Sequence, residues 1–232
     1  MPNSGEPARN RPPRVIRWLT EGVTQVAMFP LGSVLFPHAP LALRIFEPRY
    51  LTMLGRLLDE EDPRFGVVLI ERGPEAGGGD QRTSVGTLAR LAQVQVGKDD
   101  IFVLAVGDER IRVDAWLDDD PHPLAEVTPL PALTWDDALT PLRTEAESIV
   151  RRVLGKADAA GLASYDPNIE LSEDPVGSAW QLAAIAPLGE LDRFTLLQAT
   201  TMGGLLRQII DMTLDIEPVI GGDAASDPFS GM

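Results

Sequence analysis

The chemistry open to this chain is narrow, because it has no cysteine and only two histidines, His38 and His122. Without thiolates there is no disulfide framework, no sulfur nucleophile and no sulfur-ligated zinc site. The histidines lie far apart and form neither a His-x-x-x-His nor a His-Glu-x-x-His spacing, the patterns that bring two imidazoles onto one metal. His38, in Phe36-Pro37-His38-Ala39-Pro40, would have to act as a general base near Glu47 or Asp108. Two flanking prolines and no nearby nucleophile favour a loop histidine holding a hydrogen bond instead. His122, between Pro121 and Pro123, makes a weaker candidate. Asp118-Asp119-Asp120 offers hard oxygen ligands but lacks the glycine and distal glutamate of a calcium loop, so it reads as a solvated turn. Gly77-Gly78-Gly79 has no following lysine, and the Gly-Lys pairs at 97–98 and 155–156 run into Asp99 and Ala157, so no phosphate-cradling loop is present. Glu47 and Arg49 read as an ion pair or a cap at a helix start. The expectation is a protein that is not an enzyme, with no catalytic residues, no metal and no cofactor.

The residues that stand out are apolar. Phe29, Leu31, Val34, Leu35 and Phe36 fall within eight positions, interrupted by Pro30 and Gly32 and followed by Pro37. One strand face cannot bury them all by alternation. Either the segment folds under neighbouring elements as core, or part of it stays exposed as a patch for extended polypeptide.

The elements that must position this group divide by period. From Thr24 to Leu130, short β-branched or alternating runs are set off by Gly, Pro and Asp. Strands are expected near 25–29, 41–45, 65–71, 85–96, 101–107, 110–116 and 124–130, with reversals at Gly97-Lys98-Asp99-Asp100 and at Gly107-Asp108-Glu109. One helix interrupts them, capped by Glu47 with Pro48 at its first position and Tyr50, Leu51, Leu54, Leu57 and Leu58 at helical spacing. Residues 72–83 read as a mobile loop. After the stiff Pro129-Leu130-Pro131 link the period becomes helical. Thr134 and Asp137 resemble a capping box, and a long helix then runs to Gly155. A non-periodic link covers 156–173, and helices are expected at 175–185, 188–199 and 202–216. Residues 1–23 read as a flexible basic arm and 218–232 as a flexible tail, leaving a β domain over 24–130 and a helical domain over 131–217.

The charge is uneven. The net charge is −15, but Arg9, Arg11, Arg14 and Arg17 against Glu6 leave the first twenty residues at +3, so the rest carries −18. A body this acidic repels a phosphate backbone, which disfavours nucleic acid as the main partner. No apolar stretch reaches the roughly 18 residues of a spanning helix, and a cytoplasmic location without membrane attachment is the default expectation.

Three blocks stand out: MFPLGSVLFPHAPLALRIFEPRY (28–50), RFGVVLIERG (64–73) with VGTLARLAQVQVGKDDIFVLAVGDERIRV (85–113), and WQLAAIAPLGELDRFTLLQATTMGGLLRQIIDMTLDI (180–216). Together they resemble the amino-terminal, substrate-binding domain of the Lon protease family in its stand-alone form. The resemblance implies an α+β fold, a PUA-like mixed β pseudo-barrel of about six strands followed by a C-terminal helical bundle. It also implies a non-catalytic, proteolysis-associated role in engaging polypeptides for degradation or quality control, since catalysis in full-length Lon proteases resides in other domains. The expected partners are unfolded or hydrophobic polypeptides, with an ATP-dependent protease as the receiving machine. Phe29, Leu31, Val34, Leu35 and Phe36 are the candidate binding residues, in a groove between barrel and helices beside a strand edge open to main-chain pairing. The alternative the PUA-like architecture brings is RNA binding, which would require a basic stripe that the sequence offers nowhere outside the arm.

Overall fold

In the computed structural model, residues 24–72, 81–98 and 100–221 are described. The chain order is β1 (Thr24–Leu31), β2 (Pro40–Ile45), α1 (Pro48–Leu58), β3 (Arg64–Arg72), β4 (Gln81–Val96), β5 (Ile101–Leu117) and β6 (Leu124–Pro129). A 3₁₀ turn (Asp137–Leu139) then leads into α2 (Thr140–Ala159), α3 (Pro175–Ile185), α4 (Glu190–Leu197) and α5 (Met202–Gly221). The architecture is α+β, as expected. The arm at 1–23, the triple glycine and the residues after 221 lie outside the described residues, and 218–221, read above as tail, extend α5.

The strands lie in the order β2-β5-β4-β3-β1-β6, and β6 returns to pair with β5, closing a ring of β1, β3, β4, β5 and β6. Only the β1–β3 pair is parallel. β5 makes this possible by its length: its first half, 101–106, pairs with β2, and its second half, 111–117, pairs with β6. Two short strands thus share one edge of one long strand.

The expected reversal at Gly107-Asp108-Glu109 does not occur. β5 runs straight through it, and the register against β4 steps from Thr87–Arg110 to Ala89–Gly107, placing one extra residue on β5. This is a bulge, which bends a strand and raises its twist as barrel closure requires. Asp108 and Glu109 both reach Arg64, at 2.9 and 3.4 Å. Gly107 is needed for a close approach rather than for a turn, because a Cβ there would overlap the Phe36 carbonyl group. That approach seats the 32–39 loop on β5 through His38 N–H to the Gly107 carbonyl (2.8 Å) and Gly107 N–H to the Ala39 carbonyl (2.9 Å).

β1 resolves the crowding of apolar residues. Val26 and Met28 point into the ring, where they meet Val68, Leu88, Ile111, Ala125 and Val127, one small core drawing on all five ring strands. Phe29 and Leu31 point the other way, into a larger core shared by Phe65, Val67, α1 and the helices α2 to α5. Both faces of the strand are therefore used, with period two kept on each.

The helices mostly begin and end for local reasons. Pro48 opens α1, but Glu47 makes no side-chain cap, its carboxylate accepting instead from Arg49 Nε at 3.0 Å. Asp136, not Thr134, caps the 3₁₀ turn by accepting from the Ala138 N–H at 2.9 Å. α2 continues past Gly155 to Ala159, since a solvent-tolerant glycine costs a helix only about 1 kcal/mol, and the chain turns instead at Gly161, whose φ is +72°. Asp174 caps α3 at Gly177 N–H, 2.7 Å. Among the described residues no helix is long and apolar enough to cross a membrane.

Candidate functional site

The five candidate residues separate in space. Leu35 and Phe36 are buried at 5% and 1% exposure. Phe36 packs on Trp180 of α3, ring centroids 5.9 Å apart. Val34 is half-buried, and its N–H donates to Glu190 Oε2 of α4 at 2.7 Å. The Leu35 carbonyl accepts from the buried Thr87 hydroxyl at 2.6 Å. These three residues are stitched between sheet and helices. Phe29 and Leu31 sit at the other end of the segment and line an open cleft.

The seam between barrel and helices, expected above to hold a groove, is bridged by side chains from both sides. Its centre is Arg110, the arginine of Gly107-x-x-Arg110-x-x-Val113, which is 6% exposed. Its guanidinium donates from Nη1 to the carbonyls of Leu197 (2.9 Å) and Ala199 (2.5 Å) and from Nη2 to that of Pro131 (2.8 Å), and lies 5.2 Å from the centre of the Trp180 ring. Burial pushes its pKa below the usual arginine value, but a guanidinium remains charged at any physiological pH. Three carbonyls from the α4–α5 turn and the β6–α2 link are thereby tied to β5. The motif had been visible only as part of a resemblance, and no local pattern announces that a strand arginine will be buried.

The cleft lies instead between β1, β2 and α1. It has a volume of about 240 Å³ and is lined by Phe29, Pro30, Leu31, the 42–47 stretch and Tyr50. Its floor is aromatic: Phe29 stacks on Tyr50 with centroids 4.0 Å apart, and Phe65 stands 6.2 Å from Phe29. Arg49 caps the floor by lying 4.6 Å from the Tyr50 ring centre while paired to Glu47. Phe46 forms the lip and is 61% exposed. The sequence held a signal for Phe46: Leu41, Leu43 and Ile45 alternate inward, so the large apolar residue that follows falls on the outward position.

A second, shallower depression of about 350 Å³ lies on the outer face of the sheet, lined by Ala42, Leu43, Arg44, Gln93, Gln95 and residues 102–104. Phe102 and Leu104 are 48% and 40% exposed there. β2 lies along both hollows. Among the described residues it pairs with β5 alone, so its other edge is open.

The polar candidates do not assemble. His38 is exposed in the left-handed region at φ 59°, and its carbonyl accepts from Gln181 Nε2 at 3.1 Å. Glu47 and Asp108 are engaged by Arg49 and Arg64. His122 is buried with Nδ1 3.1 Å from the Pro123 carbonyl, and burial pushes its pKa down. Asp120 is held from the side by Arg56, whose Nη1 donates to its carbonyl at 2.6 Å. Among the described residues no group of three or more His, Asp or Glu is placed to hold a metal ion.

The profile of the ATP-dependent protease La (LON) substrate-binding domain matches residues 25–214. Lon protease 2 of Sorangium cellulosum is 29% identical over 160 residues, covering 66% of this chain and 19% of that protein, so the chain spans about a fifth of the relative's length. The Lon N-terminal domain protein from Xanthomonas campestris superimposes with a TM-score of 0.57 at 26% identity, covering 81% of this chain and 98% of that one. The N-terminal domain of the Mycobacterium avium complex Lon protease gives 0.59 at 18% identity, covering 83% and 99%, a likeness of fold.

Proposed function

Because the chain belongs to the family of the ATP-dependent protease La (LON) substrate-binding domain, we propose that it captures unfolded or hydrophobic polypeptides in the cleft between β1, β2 and α1, without itself breaking bonds. The observation that carries this reading is the pairing of an open aromatic-floored cleft with Phe46 standing 61% exposed at its lip. An exposed aromatic beside an unfilled apolar hollow gains from burial by a partner, by about 1.5–3 kcal/mol for a phenylalanine side chain. Phe29 and Leu31 contribute as the walls, whereas Val34, Leu35 and Phe36 contribute by fixing the loop behind them. The reading extends to a role in protein quality control in the cytoplasm, with bound segments handed to an ATP-dependent protease. The acidic chain favours polypeptides of net positive charge, through long-range attraction that salt weakens.

The test is fluorescence anisotropy with a reduced, carboxymethylated and hence permanently unfolded polypeptide. Phe46→Ser is expected to weaken binding by roughly tenfold or more while leaving the melting temperature unchanged. Binding equal to wild type in both Phe46→Ser and Leu43→Ser, with each variant folded, overturns the cleft as the site.

A further inference from the structure

We infer that a captured polypeptide is read as an added β-strand on the open edge of β2, every second side chain entering the cleft between β1, β2 and α1. This rests on the polypeptide-binding reading above and specifies how the segment is recognised.

The geometry follows from the ladder. In an antiparallel pair, residues alternate between those whose main-chain groups bond the neighbour and those whose groups point away. The Gly107 N–H donates to the Ala39 carbonyl, and the register places Leu41 opposite Ala105, Leu43 opposite Val103 and Ile45 opposite Ile101. Stepping by two from Ala39 therefore assigns the main-chain groups of Leu41, Leu43 and Ile45 to β5. Those of Ala42 and Arg44 are left on the open edge, together with the carbonyl of Pro40. Pro40 fits this assignment, since a proline is tolerated where its missing N–H would face outward.

Only another main chain offers N–H and C=O groups at the spacing these edge groups require, which selects an extended polypeptide over a lipid or a small apolar ligand. The side chains agree. A strand beside β2 sends successive residues to opposite faces. One set meets the cleft floored by Phe29 and Tyr50. The other lies on the outer face beside the exposed Ala42 and Arg44. Arg44, on the outer face, is paired with Asp100 and is not a demand for an acidic ligand. The class of segment expected carries large aliphatic or aromatic residues at every second position, with small or polar residues between them.

Ten-residue peptides of that alternating pattern, each with a single backbone N-methyl group walked along the sequence, test this on the unmodified protein by anisotropy. The expected result is periodic: methylation at every second central position weakens binding by roughly tenfold, the scale of a lost main-chain hydrogen bond, and the intervening positions stay within about twofold. Ala42→Pro, which removes an edge N–H, is expected to give a similar loss at unchanged melting temperature. A flat N-methyl series with peptide still bound overturns strand addition while leaving the cleft reading standing. No binding by the unmethylated peptide or by unfolded polypeptide overturns the cleft reading itself. A concentration-dependent dimer abolished by Ala42→Pro, with no peptide bound, overturns this inference in favour of a second copy on the edge.

Discussion

The seam between sheet and helices and the cleft beside β2 are supplied by one short stretch of chain, yet they end differently. At the seam, Val34, Leu35 and Phe36 each meet a partner: Trp180 for the Phe36 ring, Thr87 for the Leu35 carbonyl and Glu190 for the Val34 N–H. Arg110 serves three further carbonyls. A few residues away, Phe29 and Leu31 are 8% exposed but border a hollow, Phe46 stands largely in solvent, and β2 lacks a partner on one edge among the described residues. The contrast teaches where to look for binding in a chain whose candidate site residues are apolar. Apolar character does not separate the two places; completeness of partnering does.

The sharpest way to break the comparison is at Arg110. Arg110→Met strands three carbonyls in the seam, and with unsatisfied buried groups costing about 1–3 kcal/mol each, a loss of roughly 3–5 kcal/mol is expected in urea unfolding. Arg110→Lys should recover only part of it, since an ammonium lacks the planar fork that reaches three acceptors. A loss under about 1 kcal/mol for Arg110→Met would mean the seam is held by packing alone.

Phe36→Ala probes that packing and is expected to cost about 3 kcal/mol through the cavity it leaves against Trp180. The opposite behaviour is expected at the cleft, where Phe46→Ser should move unfolding stability by no more than about 0.5 kcal/mol while weakening peptide binding as described. If Phe46→Ser destabilised the protein as much as Phe36→Ala, the distinction between closed and open regions would fail.

Acid separates the regions further. Burial holds the His122 imidazole below its ordinary value of 6.5, so the unfolded chain takes up the proton first. Stability is complete above about pH 6.5 and falls as the pH drops below it, toward the lowered folded-state value. His122→Gln is expected to flatten stability across that window in pH-dependent thermal melts. Peptide affinity should not follow it, because His122 is not among the residues that line the cleft. The smallest effect is expected at Glu217, whose carboxyl Arg152 and Lys156 draw down to about 2. It stays ionised to low pH, but its two cationic partners are half exposed at the surface, where salt and water screen the pairs. Glu217→Gln should leave the melting temperature unchanged within error at neutral pH.

Much of the fold was legible because it follows local rules. Pro48 and Pro175 mark helix starts, Leu41-Leu43-Ile45 alternates as a strand should, and the change of period after Pro131 separates strands from helices. The misreadings share one cause. Gly107-Asp108-Glu109 has turn composition, but a glycine beside acidic residues also suits a bulge, and only the lengths of the flanking partners decide between them. Gly155 looks like a helix end, yet α2 packs along α5 and tertiary contacts carry it four residues further. The candidate site was legible as a cluster of apolar residues and illegible as a surface. Phe29 and Phe36 are alike in type and seven positions apart, and nothing local says that one borders a hollow while the other is sealed.

Taken alone, the sequence determined that the chain has no cysteine and only two histidines, its α+β character and the apolar stretch worth attention. Composition, charge and periodicity depend on residue types and short spacings. Only the tertiary structure decided that Arg110 bridges the seam, that an open cleft lies between β1, β2 and α1, and that among the described residues β2 is paired on one edge alone. Those outcomes depend on which strands share the two halves of β5, a matter of long-range pairing that residue order does not display.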